Sequence, residues 1–121
     1  MKTNQSLLKS LGNAFAGIGY FFTHERNGQI HLAVTLVVLA AGLAFKIATV
    51  EWLLILLCIA LVIGLEMFNS AIEKLCDMVQ PNQHPTIKII KDVSAAAVLW
   101  ATIISVIIGL IIFLPKAIQL L

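Results

Sequence analysis

Three long apolar stretches constrain this chain more than any other feature of its sequence. They cover residues 30–50, 52–72 and 93–114, and each is close to the roughly 20 residues that a helix needs to cross a bilayer. Hydrophobic residues make up 60% of the 121 residues, charged residues make up 12%, and the mean hydropathy is +1.02. This composition excludes an ordinary soluble domain. We therefore expect an all-α integral membrane protein that forms a single domain over residues 1–121.

Polar and turn-forming residues divide the chain into four predicted helices. From about residue 5 to residue 24, apolar side chains recur at spacings of three and four, which predicts an amphipathic helix on the membrane surface. Residues 23–31 are predicted to form a polar turn, and residues 46–52 a short hairpin. The membrane helices are then expected at about residues 30–50, 52–79 and 86–115, with the prolines of residues 80–85 ending the second helix.

Charged residues are distributed unequally between the two sides of the predicted membrane. Two of the eight basic residues, Lys46 and Lys116, lie on one side, and the other six lie on the opposite side: Lys2, Lys9, Arg26, Lys74, Lys88 and Lys91. Because basic segments stay in the cytoplasm, the N-terminus and the second loop are predicted to be cytoplasmic. Five of the six acidic residues lie on this side. A candidate site is therefore expected there.

The stretch VIGLEMFNSAIEKLCDMV, residues 62–79, continues an apolar helix into acidic sequence. At about 100° per residue, Glu66, Asn69, Glu73 and Asp77 share one face less than a quarter-turn wide. A carboxylate at the centre of a membrane helix costs about 2.5–3.5 kcal/mol on insertion scales. Glu66 has apolar neighbours and no basic residue within one turn. An acid in this setting is a functional candidate.

The chemistry of these acids has two interpretations from the residues alone. Carboxylates together with Lys88, Lys91 and Asp92 are suited to phosphoryl transfer, in which Mg²⁺ is held by one or two carboxylates and substrate phosphates. Glu25 offers a further metal ligand. However, no glycine-rich phosphate loop is present in the sequence. A small cation-coupled transporter, which also places acids in membrane helices, is an equally good interpretation at this point.

Three sequence blocks together resemble the small prokaryotic diacylglycerol kinase family, which includes the undecaprenol kinases. They are ERN at 25–27, LEMFNSAIEKLCD at 65–77 and KDVSAAAV at 91–98. The resemblance covers nearly the whole chain. It implies a homotrimer of three-helix subunits with an amphipathic surface helix, in the bacterial inner membrane. It also implies binding of ATP and Mg²⁺ on the cytoplasmic side, phosphorylation of a lipid alcohol, sites shared between subunits, and no nucleic-acid partner.

The resemblance further implies roles for individual residues. Glu66 would be the general base that accepts the proton of the lipid hydroxyl. Glu25 and Glu73 would hold the metal. Contacts to nucleotide or substrate would come from a further set of polar residues: Asn69, Glu73, Asp77, Lys91 and Asp92. The individual roles of Asp77 and Asp92 stay open between nucleotide contact and support of Lys91.

The lipid substrate is predicted from smaller details of the sequence. ERNGQIH at 25–31, the His84–Pro85 pair and the tail IIGLIIFLPK at 107–116 look more like undecaprenol kinases than like diacylglycerol kinases. Undecaprenol is therefore the expected acceptor and diacylglycerol the alternative. His31 and His84 lack the spacing of metal ligands, which favours simple interfacial positions for both side chains.

Overall fold

In the computed structural model, residues 6–121 are described, and they form four α-helices. The helices are α1 (Leu7–His24), α2 (Arg26–Phe45), α3 (Thr49–Val79) and α4 (Pro85–Gln119). Within the described residues, α2, α3 and α4 are each long and apolar enough to cross a membrane. The predictions of an all-helical chain and of three candidate spans are confirmed. Lys2 and the expected start of the first helix near residue 5 lie outside the described residues.

The junction between α1 and α2 is much tighter than the sequence indicated. Glu25 alone separates the two helices, so the predicted polar turn over residues 23–31 was wrong and α2 begins at Arg26. Buried Gly28 makes this junction possible, because a Cβ there would lie 2.6 Å from the backbone oxygen of Phe21 and 2.9 Å from its ring. The close packing of Phe21 on Gly28 therefore fixes where α1 meets α2.

Gly28→Ala is expected to destabilise the protein by roughly 1–3 kcal/mol, the usual cost of overpacking a tight contact. The nearest obstruction is a backbone oxygen, which cannot move away as a flexible side chain can. Chemical denaturation in detergent micelles measures the effect. Gly12→Ala is the matched control, because a Cβ at Gly12 meets no atom within 4 Å in the described chain. Equal stabilities for the two variants would contradict the tight junction.

The hairpin between α2 and α3 is also shorter than predicted. Lys46 has a left-handed conformation (φ 51°, ψ 55°) that ends α2, and α3 begins at Thr49, inside the expected hairpin of residues 46–52. The Trp52 ring packs on Gly42, where a Cβ would lie 2.6 Å from it. Glu51 Oε1 accepts a hydrogen bond from the Ala48 backbone N–H at 2.9 Å, which satisfies one of the unpaired backbone donors at the start of α3. With these local contacts, only residues 46–48 lie between α2 and α3.

Helices α3 and α4 form the most extensive helix pair in the structure. At the start of α4, His84 Nδ1 accepts a hydrogen bond from the Thr86 backbone N–H at 3.1 Å. At the other end, α4 continues through Pro115 to Gln119, beyond its predicted end at residue 115. Lys116 Nζ donates to Glu51 Oε2 at 2.8 Å and to the Ile112 carbonyl at 3.1 Å. This ion pair joins the end of α4 to the beginning of α3.

Candidate active site

Glu66 lies buried on α3, and the first turns of α2 supply its polar contacts. Its residue surface is 3% exposed. Asn27 Nδ2 donates a hydrogen bond to Glu66 Oε1 at 2.9 Å, and His31 Nε2 lies 3.9 Å from Glu66 Oε2. Asn27 and His31 are four residues apart on one helix, so their side chains point to the same side. Two residues of α2 therefore face the two oxygens of one carboxylate on α3.

These contacts explain how an apolar helix can carry Glu66. A hydrogen bond to a charged group stabilises the carboxylate against the loss of water that burial imposes. Sequence reasoning included Asn27 in the family motif and treated His31 as interfacial, but it gave neither residue a role at Glu66. The available signal was a pair of polar residues spaced i, i+4 at the start of an apolar helix. Only the packing of α2 on α3 shows which acid this pair faces.

Asn69 lies one turn beyond Glu66 on α3 and is 5% exposed. Its Oδ1 atom receives no hydrogen bond from any group in residues 6–121. An unsatisfied buried amide oxygen costs about 1–3 kcal/mol, so native structures rarely contain one without a functional reason. The side chain thus offers an acceptor oxygen to a group that is not part of the described chain.

Glu25 at the α1–α2 junction faces Lys74 of α3. Lys74 Nζ lies 2.8 Å from Glu25 Oε1 as an ion pair, and it also lies 5.7 Å from the centroid of the Tyr20 ring. This contact raises the pKa of Lys74 above its ordinary value, chiefly through the hydrogen bond to Glu25. Tyr20, Glu25, Ser70 and Lys74 contribute to the wall of a cavity of about 350 Å³ between α1 and α3. Charged groups therefore line a space between α1 and α3.

The other predicted site residues lie at the end of α3 and the start of α4. Lys91 forms an ion pair with Asp77, and Lys88 Nζ lies 2.6 Å from Asp92 Oδ2. The basic partner of Asp77 therefore comes from the next helix rather than from the adjacent turn. Lys88, Lys91 and Asp92 line a cavity of about 650 Å³ beside the loop at residues 80–84. The four residues of the predicted acidic face therefore differ in exposure. Glu66 and Asn69 are buried, whereas Glu73 and Asp77 are exposed.

A magnesium ion fits this arrangement only as a metal shared with substrate phosphates. Residues 6–121 contain no group of three or more His, Cys, Asp or Glu side chains that could hold a metal alone. Mg²⁺ usually takes one or two carboxylates together with phosphate oxygens and water. Glu25 is paired with Lys74 of α3, and the carboxylate of Glu73, the residue before Lys74, is exposed. The donor set therefore suits an open site and not a closed protein cage.

Three candidate membrane spans and a carboxylate buried between two of them define an integral membrane protein with an acidic interhelical site. The family model described as prokaryotic diacylglycerol kinase matches residues 12–113. The chain belongs to this family.

Two relatives support the same assignment. The chain is 42% identical over 108 residues to an undecaprenol kinase of Bacillus subtilis, covering 89% of this chain and 88% of the relative. It is 35% identical over 116 residues to a diacylglycerol kinase of Synechocystis sp., covering 95% of this chain and 66% of the relative. The prediction of a lipid kinase is confirmed, and ATP is the phosphoryl donor that kinase activity implies. The residues alone left a kinase and a transporter equally possible, and the family places the chain among the kinases.

Proposed function

We propose that this kinase transfers the γ-phosphate of ATP to the hydroxyl group of undecaprenol. The observation that carries the proposal is buried Glu66, whose Oε1 is held by Asn27 Nδ2 at 2.9 Å. A carboxylate held in this way has its second oxygen available as a general base. Similarity to an undecaprenol kinase over most of both chains supports undecaprenol as the acceptor. Diacylglycerol is the second candidate, since a diacylglycerol kinase is also a relative.

In the proposed reaction, the lipid hydroxyl oxygen attacks the γ-phosphorus and its proton passes to Glu66 Oε2. The new oxygen–phosphorus bond forms as the bond from the γ-phosphorus to the β,γ-bridging oxygen breaks, and ADP leaves. Asn27 fixes the orientation of the carboxylate while this proton moves. Burial of Glu66 also keeps water away from the base, which limits hydrolysis of ATP as a competing reaction.

Charged residues at the same end of the helices would bind the nucleotide. Glu25 and Glu73 would hold Mg²⁺, which neutralises phosphate charge and favours transfer. Asn69 would offer its buried Oδ1 to nucleotide or substrate. Lys91 would contact the phosphates, with Asp77 orienting its ammonium group. Asp92 would act through Lys88, with which it forms an ion pair.

The proposal includes a homotrimer with sites shared between subunits in the bacterial inner membrane. The unsatisfied Oδ1 of Asn69 and the many exposed apolar side chains of α3 and α4 are consistent with further chains packing on these helices. The N-terminus would be cytoplasmic because most basic residues lie on that side. Helix α1 would lie on the membrane surface, since its apolar residues include exposed Leu8, Leu11 and Phe15.

Purified protein is expected to phosphorylate undecaprenol faster than diacylglycerol when each is supplied at the same mole fraction in mixed micelles. Radiolabelled ATP, Mg²⁺ and thin-layer separation of the lipid products measure both rates. Micelles without an acceptor provide the control for ATP hydrolysis by water. A faster rate with diacylglycerol would contradict undecaprenol as the preferred acceptor and favour the second candidate.

A further inference from the structure

An apolar cavity of about 460 Å³ lies between α2, α3 and α4. Its lining from α2 runs along the helix through His31, Val34 and Val38, and its lining from α3 includes Val62 and Ile63. Val62 lies one helical turn before Glu66, and His31 faces Glu66 directly. One end of the cavity therefore lies next to the candidate active site, because His31 lines the cavity and also faces Glu66.

His31 is placed between this cavity and the carboxylate. Its side chain is 21% exposed, and its Nε2 lies 3.9 Å from Glu66 Oε2. This separation is too long for a direct hydrogen bond, but one hydroxyl oxygen between the two atoms could contact both. The other carboxylate oxygen is already occupied by Asn27. The gap between His31 and Oε2 is thus the position at which Glu66 can receive a hydroxyl group from the cavity.

We infer that His31 is a substrate-positioning residue, which holds the lipid hydroxyl against Glu66 while the apolar chain of the same lipid occupies the cavity. His31 Nε2–H donates to the hydroxyl oxygen, and the hydroxyl proton points to Glu66 Oε2. His31 keeps its own proton throughout the transfer. The inference rests on the lipid phosphorylation proposed above, but it does not depend on which lipid alcohol is preferred.

A lipid chain is the occupant that the lining favours. Most of the lining is aliphatic or aromatic, and its few polar groups other than His31 are a thiol and three hydroxyl groups, from Cys58, Thr35, Thr102 and Ser105. An apolar chain gains free energy by contact with such a surface, whereas a nucleotide would lose the hydration of its phosphates there. The nucleotide-binding residues proposed above are absent from this lining.

The decisive variants are His31→Leu, which removes the donor, and His31→Gln, whose side-chain amide can still donate a hydrogen bond. Gln29→Leu is the matched control, because Gln29 is an exposed polar residue two positions away on the same helix. Rates are measured with whichever of undecaprenol or diacylglycerol wild-type protein phosphorylates faster. We expect His31→Leu to lower kcat/KM for the lipid by roughly ten- to a hundredfold, with KM for ATP unchanged. His31→Gln should retain a larger share of activity, and Gln29→Leu should behave as wild type.

The cavity is tested separately with Gly109→Leu. Gly109 lines the cavity, and a Cβ at this position meets no atom within 4 Å in the described chain, so the new side chain extends into open space. It is expected to raise KM for the lipid severalfold without changing KM for ATP. Wild-type lipid kinetics in His31→Leu would overturn the role of His31, as would a loss of ATP affinity equal to the loss for lipid. Unchanged lipid KM in Gly109→Leu would overturn the assignment of the cavity.

Discussion

Glu66→Gln is expected to abolish lipid phosphorylation while leaving the helices assembled. Glutamine has nearly the size of glutamate, and its amide oxygen can still accept the hydrogen bond from Asn27 Nδ2. It cannot accept the proton of the attacking hydroxyl. General-base catalysis typically contributes 10²- to 10⁴-fold, so kcat should fall by about this factor or more. Initial rates in mixed micelles, at saturating ATP and lipid, measure the change.

A structural control separates loss of catalysis from loss of fold. Glu51→Gln removes an acid from the other end of α3, where Glu51 pairs with Lys116. This variant should keep near-wild-type kcat, although the lost ion pair can lower its stability. Thermal unfolding of Glu66→Gln should stay close to that of wild type, because the substitution removes a buried charge and not a packed group. Near-wild-type kcat in Glu66→Gln would refute the assignment of Glu66 as the base.

Mixing two inactive variants is expected to restore activity if neighbouring subunits share one site. Lys91 pairs with Asp77, which is eleven residues beyond Glu66, or about 16 Å farther along α3. Lys91 and Glu66 therefore do not contact each other within one chain, and the shared-site proposal pairs Glu66 with Lys91 of a neighbouring subunit. Co-reconstitution of Glu66→Gln with Lys91→Met subunits should give some trimers in which an intact Glu66 meets an intact Lys91. Random assembly in equal amounts should recover about a quarter of the wild-type rate in a cyclic trimer.

The contacts within one chain supply a matched control for this experiment. Asn27 bonds to Glu66, and Glu25 pairs with Lys74 on the same helix as Glu66, so we expect Glu25 and Glu66 of one chain to serve the same site. A mixture of Glu25→Gln and Glu66→Gln subunits should therefore stay inactive, even when differential tags show that mixed trimers have formed. A Glu66→Gln and Lys91→Met mixture that remains as inactive as its parents would show that Lys91 serves the Glu66 of its own subunit.

The sequence by itself determined that the fold is an all-helical membrane fold, and it singled out Glu66 as the strongest candidate for a functional residue. Apolar runs of membrane length and the repeat of apolar residues along α1 are local properties, so they can be read without knowing how helices pack. The same is true of Glu66, because its unusual position depends only on the apolar residues beside it. The ends of helices were less predictable. Helix α1 ends before Glu25 because Phe21 packs on Gly28, and helix α2 ends before Lys46 because Trp52 packs on Gly42.

Only the tertiary structure decided which polar groups meet. Asn27 and Glu66 are separated by 39 positions, and Glu51 and Lys116 by 65, so no local pattern could pair them. The partner of Asp77 is Lys91, which lies beyond a loop and on another helix. A buried charge is stabilised by whichever groups the packing of helices brings within hydrogen-bonding distance. The sequence could therefore show that Glu66 needs partners, whereas the arrangement of α2 against α3 determined that these are Asn27 and His31.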